Sequence, residues 1–486
     1  MKRSLIIVSL LALATAAAAQ KYSFGFTPSG CSDTVLYIAS HYRDALTVED
    51  SARRTAGGTY TFRGKRGWER GVYALVGQDR KRVLTRFCID GSRNFSIGGD
   101  ATLSAGSVRV KGCKVNAQMY DYLATEEAAM REQDSIAARK KNPAMRTQAE
   151  ADEKALVARM RAYEEKALHP ANPNIYFDLQ LACEPAEVPD TVKDKPAYYR
   201  RHYWDALFGA ESHSPFKAHH SALLRSPQLF SKMNLFFFGM MYYADSDTVC
   251  AEIDRLAARI GDDTAMLRYV LDYIEPRYFR SSAKNVGWDA VWCHLAKTYY
   301  LAGRCPWAKE SKLHNMRYNY DRIRQSLIGA HGQELWMADT NQSPNPDDWI
   351  SSHRFPTRYV VLWFWDPDCH HCQEQSEELR LLYDSLLSAP DRRFEVYAVG
   401  YESDVDKWKR YVREHNFKWV NVGGTNVNID YQEAYNVHGA PTMIILNERR
   451  DIIMNKVLPA KGLLQFLDNY EKRTLTAGHK PLPAEH

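Results

Sequence analysis

Past residue 20 the 486-residue sequence has no run of about 18 apolar residues, the length a membrane-crossing helix needs. The best candidate, residues 233–243 (MNLFFFGMMYY), is too short and is expected to be a core helix. Charge of one sign is also scarce. Sixty-four Lys and Arg against 59 Asp and Glu leave a formal +5, which makes no electrostatic case for nucleic acid. With 26 glycines and 20 prolines the chain is neither collagenous nor wholly disordered. One Cys-x-x-Cys occurs, at Cys369 and Cys372, and no second pair completes a zinc ribbon. His202, His213 and the His219-His220 pair lack the i, i+4 spacing with acidic company that zinc hydrolases use. They are read as surface or core residues, and neither a metal nor another cofactor is expected.

What is present points to an exported protein of several domains. Residues 1–19 have a basic start, an apolar run and an Ala17-Ala18-Ala19 cleavage site, as in a signal peptide. Its removal takes Lys2 and Arg3 with it and lowers the formal charge to about +3. The first cysteine, Cys31, lies too far along to accept a lipid. No membrane span is expected after cleavage. Residues 20–115 carry short β-branched and aromatic runs between Gly, Asp and Ser, the spacing of a small antiparallel β domain. Residues 116–170 are dense in Ala, Glu, Lys, Arg and Met and are broken at Asn142-Pro143, which predicts a charged spacer of two helices. An aromatic-rich helical domain follows at 171–325. Strands and helices alternate across 326–486, with an apolar strand at 358–365, a helix at 369–387 and a terminal hairpin at 442–446 and 452–457.

The sharpest signal is Trp365-Asp366-Pro367-Asp368-Cys369-His370-His371-Cys372, where a buried strand gives way to a helix. A Cys at a helix N-terminus meets free backbone N–H groups and the positive end of the dipole, which favour its thiolate. Cys372 returns within bonding reach one turn later. Cys369 is therefore expected to attack and Cys372 to resolve. A metal held by all four of Cys369, His370, His371 and Cys372 is poorly served, because adjacent helical side chains diverge by about 100°. Cationic His370 and His371 would stabilise the thiolate and make the couple more oxidising, with Trp365 and Pro367 completing the tuning set. Asp366 and Asp368 oppose them by charge.

Beyond lies Val437-His438-Gly439-Ala440-Pro441-Thr442, with Pro441 69 positions after Cys372 and the Gly placed for a cis X–Pro turn. With this loop the region 326–475 resembles the thioredoxin superfamily, and within it the exported TlpA/ResA-like thiol–disulfide oxidoreductases. The resemblance implies a multidomain α+β chain ending in a thioredoxin-like α/β domain, and a substrate-binding loop at Ala440, Pro441 and Thr442. It also exposes departures. Trp363 stands where thioredoxins keep a buried Asp, and Gln375 where TlpA/ResA-like proteins keep a Glu, which leaves Glu374 as the candidate proton acceptor for Cys372. Glu377 replaces a helix-kinking Pro. The β domain and helical segment resemble exported bacterial regions of unknown function, through stretches such as Phe87-Cys88-Ile89-Asp90-Gly91 and Tyr203-Trp204-Asp205.

The expected function is disulfide exchange with the thiols or disulfides of envelope proteins, supplied by an upstream redox partner. The alternative is an envelope binding or scaffold protein whose thioredoxin-like module is redox-inactive. Seven further cysteines, at 31, 88, 113, 183, 250, 293 and 305, are expected to include some structural disulfides.

Overall fold

The computed structural model describes residues 21–476 except 168–173, 210–219, 283, 388, 390–391 and 402–403. The expected signal peptide, His213 and His219 lie outside the described residues. The chain divides into two compact units, 1–240 and 241–486, so the division falls inside the 171–325 segment. No helix among the described residues is long and apolar enough to cross a membrane.

The first unit opens with two four-stranded sheets. One has the order β4-β1-β7-β8 and the other β3-β2-β5-β6. The strands are β1 (Tyr22–Pro28), β2 (Val35–Tyr42), β3 (Ala45–Arg53), β4 (Tyr60–Gly64), β5 (Gly71–Val76), β6 (Val83–Ile89), β7 (Asn94–Gly99) and β8 (Arg109–Lys111). Alternation sets the inner face: Tyr22, Phe24 and Phe26 are buried along β1 while the residues between them are half-exposed. Phe26 meets Phe87 of the other sheet at 5.0 Å, and Phe24 stacks on Phe95 at 4.4 Å. The sheets are antiparallel as expected, with one exception. β1 and β7 pair in parallel from Ser23–Asn94 to Pro28–Gly99. Side-chain alternation is the same in either direction, so the sequence pattern carries no sign of it.

A helix at Lys114–Lys140 starts against this core. The buried Asn116 accepts a hydrogen bond from the Cys88 N–H at 2.6 Å and donates one to the Cys88 carbonyl at 2.9 Å, fastening helix to strand. A second helix, Arg146–Ala167, folds back on the first after Asn142-Pro143. Ile136, Ala149 and Leu156 form a small apolar cluster between them, Tyr122 stacks on Tyr163 farther along, and the ion pairs Arg139–Asp152, Lys140–Glu153 and Arg159–Glu132 flank the seam. The charged composition thus serves a hairpin with a thin apolar seam. The 233–243 run is not one helix: Pro227–Leu235 is α-helical, and Phe236–Met240 widens into a π-turn. All nine cysteines are free, contrary to the expectation of structural disulfides. Cys88 lies against the Met119 sulfur at 3.7 Å and Cys31 under the Tyr60 hydroxyl, packed as small apolar side chains.

The second unit joins helices at Ser246–Ile260, Thr264–Ser281, Trp288–Leu295 and Glu310–Ile323 to a seven-stranded sheet of order β10-β9-β13-β12-β11-β14-β15. Its strands are β9 (Trp336–Asp339), β10 (Ile350–Ser351), β11 (Tyr359–Trp365), β12 (Phe394–Gly400), β13 (Val420–Val427), β14 (Thr442–Leu446) and β15 (Ile452–Met454). β11, β12 and β13 run parallel and the outer pairs antiparallel. All seven residues of β11 are buried. Val361, Trp363 and Trp365 enter one core with Leu379, Leu463 and Leu467, while Val360, Leu362 and Phe364 enter the other with Met337, Tyr435 and Val437. A strand covered on both faces reads as a nearly continuous apolar run, as residues 358–365 do.

Asp289 ties the helices of this unit to its sheet. Its buried carboxylate accepts from Asn455 Nδ2 at 2.7 Å and from Lys456 Nζ at 3.0 Å, just past β15. Substituting Asp289→Ala leaves the largely buried Lys456 ammonium without its carboxylate and is expected to destabilise the unit by about 3–5 kcal/mol, measured by urea denaturation. For the same reason a 326–486 fragment is expected to unfold at lower urea than a 241–486 fragment.

Candidate active site

The site is built at the C-terminal end of β11. Trp365, its last residue, turns its ring into the core against Tyr411 at 5.4 Å and Phe417 at 5.5 Å. The chain then makes a tight turn. Asp366 Oδ1 accepts the Asp368 N–H at 2.8 Å, and the Cys369 N–H donates to the Asp366 carbonyl at 3.1 Å. From the following helix, His370–Leu386, Gln373 Nε2 donates to the Pro367 carbonyl at 2.7 Å and clamps the turn.

Cys369 is the N-cap of that helix. Its Sγ accepts the Cys372 N–H at 3.3 Å, the bond that an N-cap oxygen makes elsewhere. A sulfur so placed lies where the helix offers unpaired N–H groups and positive potential. Cys369 is half-buried and Cys372 is wholly buried. Burial pushes the Cys372 thiol up, and its hydrogen bond with Cys369 adds to the effect. The two sulfurs thus differ in burial and in hydrogen bonding.

The structure brings the proline loop to the same place. The Cys369 thiol points at the Ala440 carbonyl at 3.6 Å, and the Ala440–Pro441 bond is cis. Thr442 begins β14, and its hydroxyl donates back to the Gly439 carbonyl at 2.7 Å.

Other expected residues fall elsewhere. His370 and His371 are 77% and 82% exposed, and both lie beside the Glu374 carboxylate, at 3.3 and 3.5 Å. Glu374 is only two residues from Cys372, so it sits about 200° around the helix. The buried face is Cys372, Ser376, Leu379 and Tyr383. Glu374 is accordingly not brought to Cys372. The Trp363 indole instead donates to Ser376 Oγ at 2.9 Å, within the core that holds Cys372. Ser376, one turn after Cys372, was discoverable from helical periodicity alone.

A second residue had no sequence signal. Lys407, 39 positions from Asp368, forms an ion pair with it. Lys407 belongs to the helix Val405–Glu414, whose Asp404 cap accepts the Lys407 N–H at 2.9 Å. Gly400 lets this helix approach the sheet, since a Cβ there would stand 2.9 Å from the Trp408 indole nitrogen.

Residues 357–452 match the family model described as thioredoxin-like. Among solved structures, the chain is similar to a domain of a possible thiol-disulfide isomerase from Cytophaga hutchinsonii, with 27% identity, 31% of this chain and 97% of that chain covered, and a TM-score of 0.27. It is similar to a thioredoxin-like protein from Bacteroides caccae at 14% identity, over 59% of this chain and 98% of that one, TM-score 0.43. It is also similar to the thioredoxin domain of a thiol-disulfide oxidoreductase from Bacteroides vulgatus at 19% identity, over 29% and 96%, TM-score 0.24. No curated protein matches. A Cys-capped helix launched from a central parallel strand, a proline loop against its first sulfur and the family match over 357–452 together make the C-terminal region a thioredoxin-like domain.

Proposed function

We propose that this chain is an exported thiol–disulfide oxidoreductase that exchanges disulfides with envelope proteins through Cys369 and Cys372. The observation that carries the reading is the Cys369 sulfur, capped by a helix N–H and partly open, above a buried Cys372. The Cys369 thiolate attacks one sulfur of a substrate disulfide, and the other substrate sulfur leaves as a thiolate. Cys372 then gives up its proton and attacks Cys369 Sγ, which breaks the mixed disulfide and releases the second substrate thiol. The substrate gains two electrons and the Cys369–Cys372 pair loses them; run backwards, the same steps oxidise a dithiol. Turnover in either direction needs an upstream redox partner. Export rests on the signal-like residues 1–19. A redox-inactive binding module is the second reading, favoured by Trp363 and Gln375, which put no carboxylate at the family's acceptor positions.

Cys369→Ser is expected to abolish disulfide exchange, and Cys372→Ser to accumulate mixed disulfides on Cys369, seen on non-reducing gels. Alkylation of the dithiol form at neutral pH should modify Cys369 and spare Cys372, whose raised thiol stays protonated. Exchange by neither the wild type nor Cys372→Ser would sustain the binding-module reading instead.

Replacing His370-His371 by Gly-Pro is expected to make the couple more reducing, by no more than about threefold in its equilibrium with glutathione. Both imidazoles are solvent-exposed and shared with Glu374, so their charge is screened at Cys369. A larger shift in a glutathione redox titration would restore the histidines as the main tuning groups.

A further inference from the structure

The polar and charged groups on Cys369, on its chain neighbours and on the segments that meet them come from four elements. Its own turn supplies Asp366 and Asp368. Its own helix supplies His370 and His371, both on Glu374, together with the N–H and thiol of Cys372. The proline loop supplies the Ala440 carbonyl, while His438, two residues earlier, faces Arg322 and Glu433. The helix Val405–Glu414 supplies Lys407. Asp366 has one carboxylate oxygen committed to the Asp368 N–H. The side chain of Asp368 is the acidic group directly adjoining Cys369 in the chain, and among the described residues Lys407 is its ion-pair partner.

We infer that Lys407 is the residue that sets the charge beside Cys369, and with it the redox poise of the pair, by neutralising Asp368. The inference rests on the proposed disulfide exchange. Lys407 acts through Asp368 and touches no reacting atom, so it is a positioning residue. Its placement is built in: Lys407 stands in the first turn of its helix, fixed by the Asp404 cap, and the helix is seated by Trp408 over Gly400. The turn that carries Asp368 is held equally firmly by Asp366 and Gln373. With Lys407 in place the turn adds no uncompensated charge from Asp368. Without it, an uncompensated carboxylate stands one residue from the sulfur that must carry negative charge, the thiolate is disfavoured, and the dithiol form loses stability relative to the disulfide. In the balance of protein disulfide plus two glutathione thiols against protein dithiol plus glutathione disulfide, the equilibrium then moves toward the protein disulfide.

Lys407 and Asp368 are 48% and 61% exposed, which limits the effect to that of a surface pair. The test uses the full chain and follows iodoacetamide labelling of Cys369 against pH by peptide mass spectrometry, alongside a glutathione redox titration. Lys407→Met is expected to move the labelling midpoint to higher pH and the glutathione equilibrium about two- to fivefold toward the disulfide. Lys407→Arg should restore both, and 1 M salt should erase the difference. Asp368→Asn should move both readings the opposite way, and the double variant should return near the wild type. A labelling midpoint unmoved by Lys407→Met at low salt, or by Asp368→Asn should the lysine variant not fold, overturns the inference. Labelling reads Cys369 whether or not the protein exchanges disulfides. A midpoint that moves as stated in a protein that never equilibrates with glutathione would support the role of Lys407 and refute the exchange reading.

Discussion

The double-sided burial of β11 is the constraint on which the site depends. Seven consecutive large side chains leave water there, a gross apolar contribution of about 10–20 kcal/mol at the usual value per buried side chain. That burial fixes the strand at the middle of the sheet, between β12 and β14. The point where it ends is consequently fixed too, and the Asp366–Cys369 turn inherits a defined position. β14, paired on the other side of β11, begins directly after the cis Ala440–Pro441 bond. The sulfur of Cys369 and the carbonyl of Ala440 meet because two neighbouring strands deliver them, so their contact needs no loop of its own to hold it.

Around that frame the charges are arranged in local pairs: Asp368 with Lys407, and Glu374 with two imidazoles. The buried side of the site has a different character. Cys372 lies among Trp363, Trp365, Leu379, Met443 and Leu463, and its backbone N–H serves Cys369. The outer sulfur is partly exposed and meets a backbone N–H and a backbone carbonyl, whereas the inner one is surrounded mainly by hydrocarbon. The two cysteines differ through that solvation more than through the identity of the residues between them.

The rest of the chain uses the same physics for other ends. A single amide, Asn116, joins helix to sheet in the first unit by pairing both polar groups of one strand residue. A buried carboxylate, Asp289, joins helices to sheet in the second. In both, a buried polar group is satisfied by partners distant in sequence, and its removal would leave those partners unpaired in a low-dielectric interior.

Sequence alone determined the elements whose residues interact with near neighbours. The apolar run of β11, the Cys-capped helix, the proline turn before β14 and the solvated helix pair at 114–167 were all legible, because period, capping and turn chemistry are properties of a few adjacent residues. Strand β13 was not legible, since Asn421, Gly423 and Gly424 interrupt its apolar pattern and pairing with β12 and β9 makes it a strand. The parallel pairing of β1 with β7, the lodging of Trp363 against Ser376 and the placing of Glu374 away from Cys372 required the fold. So did the meeting of Lys407 with Asp368 across 39 residues. Long-range contacts are decided by how the cores pack, and a charge far away in the chain has no local trace of the partner that packing will bring to it.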